Sequence, residues 1–229
     1  MIVQDALAAL NALIEPGRAE QMIAYHKQTR QVLGIPNPLI NDLTQSWRQT
    51  LTLEARTTLA QDLWATDVFE GRLAAAKLLT QARIRPDEAV WELIQGWTPD
   101  FDSWAIADHV CIAGQKRLTA DPTRIDTVEG WTTSDHMWTR RAAMVITLPW
   151  TKQNFPKPQD LEIRDRILGW AATYVTDPDW FIQKSVAWWL RDLSKHDPAR
   201  TLAFLEQHGE TMKPFARKEA AKYLPQEPA

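Results

Sequence analysis

The chain has 229 residues, 45% hydrophobic and 24% charged, with a formal net charge of -3, which suffices for one large domain or one continuous repeat array. A single cysteine, Cys111, excludes an internal disulfide and fits a reducing compartment. No basic leader with an apolar core, and no run of eighteen uncharged apolar residues, marks the chain for secretion or for a membrane, so a cytoplasmic protein is expected.

Helical periodicity predicts helices near 3–15, 17–30, 38–49, 53–65, 68–82, 86–97, 102–117, 134–147, 160–174, 179–195, 198–208 and 214–224. Thr66-Asp67, Asp87-Glu88, Ser134-Asp135 and Asp177-Pro178-Asp179 supply the side-chain acceptors and early acids that free N–H groups at helix starts require. Pro36, Pro38, Pro86, Pro99, Pro122, Pro149, Pro178 and Pro198 fall between helices or in their first turns. No alternating strand pattern occurs, so the expected fold class is all-α.

Three of these helices share a pattern in which an aromatic residue is followed three residues later by a cation and then mostly by small residues. They are Phe69-Glu70-Gly71-Arg72-Leu73-Ala74-Ala75, Trp138-Thr139-Arg140-Arg141-Ala142-Ala143-Met144 and Phe181-Ile182-Gln183-Lys184-Ser185-Val186-Ala187. A related helix begins at Trp104 and carries Asp108 one turn on. Arg72, Asp108, Arg141 and Lys184 follow one another at intervals of 36, 33 and 43 residues, which suits two-helix repeats of the HEAT or armadillo kind stacked as a solenoid. Equivalent positions on the second helices of such repeats line a concave groove; the alternative, which the repeat taken alone favours, is that the aromatic and small residues are packing positions and the cations point to solvent. Charge is unevenly spread: residues 1–137 hold 12 Lys+Arg against 18 Asp+Glu, whereas residues 138–229 hold 14 against 11. A phosphate-contacting surface is therefore expected in the C-terminal part, where a solvated face would look the same.

The segment Phe181-Ile182-Gln183-Lys184-Ser185-Val186-Ala187-Trp188-Trp189-Leu190-Arg191-Asp192-Leu193-Ser194-Lys195, with Asp197-Pro198 and Arg217-Lys218-Glu219-Ala220 after it, resembles the signature of the DNA alkylation repair enzymes, the HEAT-like-repeat alkylpurine glycosylases of AlkD type. Trp138-Thr139-Arg140-Arg141-Ala142-Ala143 is similar to that family's Trp-x-x-Arg-Ala-Ala helix, and Trp104 with Asp108 to its Trp-x-x-x-Asp helix. Tyr25-His26-Lys27, Leu33-Gly34-Ile35 and Pro38 resemble its opening segment. The resemblance implies a single domain over residues 1–229. It implies Asp108 as the catalytic carboxylate, Trp104 and Trp188 flanking the lesion, Arg141 on a backbone phosphate and Tyr25 bordering the cleft. It also implies that the modified nucleotide is handled without a deep base pocket. Arg72, Arg140 and Lys184 are further candidates for the DNA backbone.

The chemistry is coherent with those residue types. A purine alkylated at N3 or N7 is cationic, and breaking its glycosidic bond moves positive charge onto the deoxyribose. A fixed carboxylate stabilises that charge and orients water, with no metal required. Indole faces attract the cationic base by up to about 2 kcal/mol each when desolvated, and an arginine fits phosphate through paired N–H bonds. The sequence departs from the family pattern at Ala105, where an acidic residue is expected, at Ala107, where a larger branched apolar residue is expected, and at Ala216-Arg217-Lys218-Glu219 in place of Ser-Lys-Arg-Glu. His26, His109, His136, His196 and His208 form no metal-ligand spacing, and no Gly-rich phosphate loop is present, so neither a metal nor another cofactor is expected.

The function implied is a monofunctional glycosylase that removes cationic N3- or N7-alkylated purines from duplex DNA as a monomer. The alternative is a non-catalytic HEAT-like protein that binds unusual DNA structures or a protein partner.

Overall fold

A computed structural model describes residues 1–225; the last four residues of the expected 1–229 domain lie outside the described residues. Among the described residues the secondary structure is helical, with no strands. The contacts divide the chain into two compact units, Met1–Ala120 and a second from Asp121 on.

The first unit comprises α1 (Val3–Asn11), α2 (Arg18–His26), α3 (Asn37–Thr50), α4 (Leu53–Ala65), α5 (Phe69–Leu79), α6 (Glu88–Trp97) and α7 (Trp104–Ala120). Its centre is α5, every residue of which is buried, and which contacts α1, α3, α4 and α7. Small residues make this possible. Gly71 lies where an added Cβ would stand 3.1 Å from Thr66 Oγ1 and 3.3 Å from the Leu63 carbonyl oxygen, so α4 and α5 approach closely at their shared corner. Ala74, Ala75 and Ala76 leave room for the flanking helices.

The second unit comprises α8 (Ile125–Trp131), α9 (Met137–Ile146), α10 (Pro158–Tyr174), α11 (Trp180–Leu193), α12 (Pro198–His208) and α13 (Pro214–Ala220). Here α11 is central and contacts α9, α10, α12, α13 and the 3₁₀ turn Leu148–Thr151. The buried Gln183 side chain donates from Nε2 to the carbonyls of Tyr174, Val175 and Asp177 at 2.9, 2.9 and 3.0 Å, closing the C-terminal end of α10. Within each unit alternate helices stack, α5 on α7 in the first and α9, α11 and α13 in succession in the second. The recurring aromatic motifs of the sequence open α5, α7, α9 and α11, as second helices of two-helix repeats should.

Several details differ from the sequence reading, among them the expected helix 3–15, which ends at Asn11. Helix α8 fills a stretch left unassigned, because seven residues after Pro122 carry too little periodicity to register. The segment 17–30 ends as a helix at His26, where Lys27 turns left-handed at φ 52°. Of the expected caps, Asp179 accepts from the Phe181 N–H at 2.7 Å, whereas α5 starts at Val68 without a side-chain cap and Asp67 sits at φ 55°.

Candidate functional site

Four aromatic rings meet in the first unit. Tyr25, 71% exposed on α2, stands edge-on to Trp104 with ring centroids 5.9 Å apart at 88°. His26 lies 5.1 Å from Trp104 and 5.0 Å from Phe69. These rings line an open cleft of about 570 Å³ together with Ile35, Leu73 and His109. Trp104 is half-buried at the first position of α7. A helix start offers free N–H groups and a side chain not yet covered by a preceding turn, which is why an indole there is held firmly and still presents a face.

Asp108 follows Trp104 by four residues on α7 and is also half-buried; that spacing puts the carboxylate and the indole on one helix face. His109, beside it, places Nδ1 2.7 Å from the Ala105 carbonyl oxygen. A carbonyl only accepts, so Nδ1 carries the hydrogen and Nε2 keeps the lone pair. Burial, assisted by the positive charge of Lys77, pulls the His109 pKa down to about 4, and burial likewise lowers that of His26 against the opposing pull of Glu70. Both imidazoles are neutral near pH 7, so the aromatic part of the cleft wall is uncharged, and Arg18 is the cation at its edge.

The floor beneath the cleft is set by a buried carboxylate. Glu70 accepts hydrogen bonds from the backbone N–H groups of Leu33, Gly34 and Ile35 at 2.8, 2.7 and 3.1 Å. Gly34 takes φ 85°, and a Cβ there would lie 2.7 Å from the Ala19 nitrogen. The Leu33-Gly34-Ile35 motif is thereby a loop pinned between α2 and α5. Arg72 is equally committed. It ion-pairs with Asp67 at 2.9 Å, donates to the Asp100 carbonyl at 3.1 Å and lies 4.6 Å over the Trp64 ring. Its side chain is 11% exposed.

The remaining candidates belong to the second unit. Arg141 is buried, and Nη1 lies 3.5 Å from the Phe181 carbonyl oxygen. Arg140 donates to the Ser134 and Asp135 carbonyls at 2.9 and 3.1 Å and pairs with Asp177 at 3.3 Å. Trp188 is half-buried and its Nε1 donates to Asp192 at 3.1 Å. Lys184 ion-pairs with Glu219, which also binds Arg191 at 2.6 Å. Lys184, Trp188 and Arg191 recur every three or four residues along α11 and so share one helix face.

Within the first unit the structure brings Tyr25 and Trp104 together and keeps Asp108 a turn away on the same helix, while Arg72 is turned to internal contacts. Within the second, Arg140 and Arg141 sit side by side on α9, and Lys184 and Trp188 lie one turn apart on α11. His26, His109 and Glu70 were not singled out from sequence as cleft residues. The available signal was adjacency, since His26 follows Tyr25 and His109 follows Asp108. Among the described residues no group of three His, Cys, Asp or Glu side chains could hold a metal ion, and no helix is long and apolar enough to cross a membrane.

Residues 6–224 match the family model described as DNA alkylation repair enzyme. No curated protein matches the chain. Among solved structures, a predicted DNA alkylation repair enzyme from Enterococcus faecalis is 22% identical and superposes with a TM-score of 0.77, covering 93% of this chain and 97% of that chain. AlkD2 from Streptococcus mutans is 19% identical with a TM-score of 0.65, covering 98% of this chain and 100% of that chain. At these identities the likeness establishes the fold, a HEAT-like array of helical repeats, and the match over residues 6–224 establishes the family. The chain belongs to the DNA alkylation repair enzyme family.

Proposed function

We propose that the protein is a monofunctional DNA glycosylase that hydrolyses the N-glycosidic bond of cationic N3- or N7-alkylated purines in duplex DNA. The observation that carries this reading is the pairing on α7 of a half-buried indole, Trp104, at the aromatic cleft with a half-buried carboxylate, Asp108, one turn further on. The rings of Trp104 and Tyr25 suit a cationic base, which they attract through their π faces and hold without a base-specific pocket. The Asp108 carboxylate stabilises the positive charge that develops on the deoxyribose as the C–N bond breaks, and it orients the water that adds to the anomeric carbon. The products are a neutral alkylpurine, an abasic site and the proton that the attacking water gives up, which passes by way of Asp108 to solvent. No lysine is needed as nucleophile.

In this reading Trp188 is a second aromatic contact to the lesion, and Arg141 holds a backbone phosphate with Arg140 and Lys184 as auxiliary cations. Arg72, Arg140 and Lys184 each already pair with a carboxylate, Asp67, Asp177 and Glu219 respectively; Arg72 is left out because it is the most buried of the three and also holds the Asp100 carbonyl and the Trp64 ring. The test is release of N7-methylguanine from a duplex carrying one such base. Wild type should release it and Asp108→Asn should lose the activity with its fold intact. Equal release by both would remove the mechanism, and salt-sensitive binding without release by either would leave a non-catalytic DNA binder.

A further inference from the structure

Helix α5 buries three ionisable side chains, and only two of them meet opposite charge or a full set of donors. Glu70 receives three backbone N–H groups and Arg72 has a carboxylate. Lys77, 8% exposed, donates to the Asn41 side-chain carbonyl. One cation, Arg48, adjoins it, and Arg56 in turn adjoins Arg48. Arg48 of α3 donates to the Lys77 backbone carbonyl at 2.7 Å, and Arg56 of α4, also 8% exposed, donates to Gln81 Oε1 at 2.6 Å. Among the described residues no carboxylate lies within ion-pairing distance of Lys77, Arg48 or Arg56. The electrostatic consequence is visible in the groups themselves: burial, reinforced by the charge of Arg48, lowers the pKa of Lys77 to about 8 and lowers that of Arg56.

An uncompensated set of partly desolvated cations destabilises the fold unless something else supplies the negative charge. The place for it is open. A cavity of about 480 Å³ is lined by Asn41, Thr44, Gln45, Arg48 and Lys77, and it shares Asn37 and His109 with the aromatic cleft.

We propose that this cavity is a phosphate-binding site, in which Lys77 and Arg48 supply the charge and the Asn41 and Gln45 amides further donors. The Asn41 carbonyl oxygen is used by Lys77, which leaves its NH₂ group as a donor. A lysine point charge beside an arginine fork is the pairing that phosphate oxygens accept best. Because the cavity adjoins the cleft of Tyr25 and Trp104, the phosphate belongs to a nucleotide unit of DNA. That attribution rests on the reading of the protein as a DNA glycosylase, whereas the anion site itself rests on the side chains alone. It gives the first unit a phosphate contact on α3 and α5, in the place that Arg72 does not fill.

The test compares wild type with Lys77→Gln, Arg48→Gln and Lys77→Met, the last keeping the aliphatic stem so that packing is retained. Duplex affinity is measured across a salt series, and thermal stability in inorganic phosphate against chloride of equal ionic strength. The expected result is a log–log salt slope about one unit shallower for each cation removed, with phosphate-specific stabilisation in wild type only. Loss of that stabilisation with an unchanged duplex slope would assign the site to a free phosphate ligand and overturn the DNA attribution. No change in either would overturn the site. If Asp108→Asn leaves base release unaltered while these slopes shift, the proposed chemistry fails and the phosphate site stands.

Discussion

Glu70 Oε1 and the Gly34 backbone nitrogen are joined by a 2.7 Å hydrogen bond between residues 36 positions apart. That bond, with its two neighbours at Leu33 and Ile35, fixes the loop carrying Ile35 against the cleft wall. Glu70→Ala would leave three backbone donors without their acceptor, each costing about 1–3 kcal/mol if it stays dry. A loss of about 3 kcal/mol or more is expected in urea unfolding, and a loss below about 1 kcal/mol would show that water replaces the carboxylate.

Gly34→Ala should also destabilise, for a different reason. The residue sits at φ 85° with Ala19 backbone atoms 2.7 Å from the new methyl, so left-handed strain of about 1–2 kcal/mol adds to a clash with a neighbour that cannot swing away. Gly17, also at positive φ (74°), has open space around it, and Gly17→Ala is the control that isolates the strain from the clash.

Trp104→Ala is expected to reduce single-turnover base release by about 30-fold, the equivalent of an indole worth about 2 kcal/mol to a cationic base. Trp104→Phe should recover part of the loss. Tyr25 and Trp104 meet as a perpendicular ring pair, a contact that the phenyl ring of Tyr25→Phe retains, so that variant should stay within about twofold of wild type. A large defect in Tyr25→Phe would instead assign a function to the hydroxyl.

Asp197 predicts the acid limb of stability. Burial alone would raise its pKa, but hydrogen bonds from Arg200 and Arg164 outweigh that and hold it below the ordinary aspartate value. A depressed carboxylate stabilises the fold above its unfolded pKa, and the contribution is lost as pH falls through the folded pKa. Asp197→Asn should therefore lower stability near pH 7 and flatten its decline in acid. Arg164, 1% exposed, loses its only ion-pair partner among the described residues, and the expected cost is about 3 kcal/mol by denaturant titration.

Lys77 works in the opposite sense. Its pKa falls from the ordinary 10.5 to about 8 in the folded chain, so between those values the unfolded chain binds more protons and stability rises with pH. The groups facing it are Arg48, Asn41 and neutral His109, none of which opposes that trend. Lys77→Met should stabilise the protein by about 1–2 kcal/mol near pH 7 and abolish the rise. The measurement is a series of thermal unfolding curves from pH 7 to 10.5 in phosphate-free buffer.

The aromatic motifs at Phe69, Trp104, Trp138 and Phe181 were readable because a packing position that recurs once per repeat leaves its period in the chain. They open or lie at the starts of α5, α7, α9 and α11. The short helix α8 was not readable, since seven residues hold only two turns of pattern. Helical spacing put Trp104 and Asp108 on one face, but their pairing as a site came only from the family resemblance. His26 and His109 were not, because what places an imidazole at a cleft is the neighbour it meets from another helix.

The sequence by itself determined the helical class, the repeat, the family and the residue types that a cationic lesion would need. Those properties reside in local periodicity and in motifs a few residues long, which act before any distant contact forms. Only the tertiary structure decided how the charges are spent. Glu70, Arg72 and Lys77 lie on one buried helix and look equivalent in sequence. Contacts 28 to 37 residues away give Glu70 a loop to hold and Arg72 a carbonyl to bind, while Lys77 meets Asn41 and the cation Arg48 with no carboxylate among the described residues. The energy of a buried charge depends on what surrounds it within a few ångströms, and folding sets those distances.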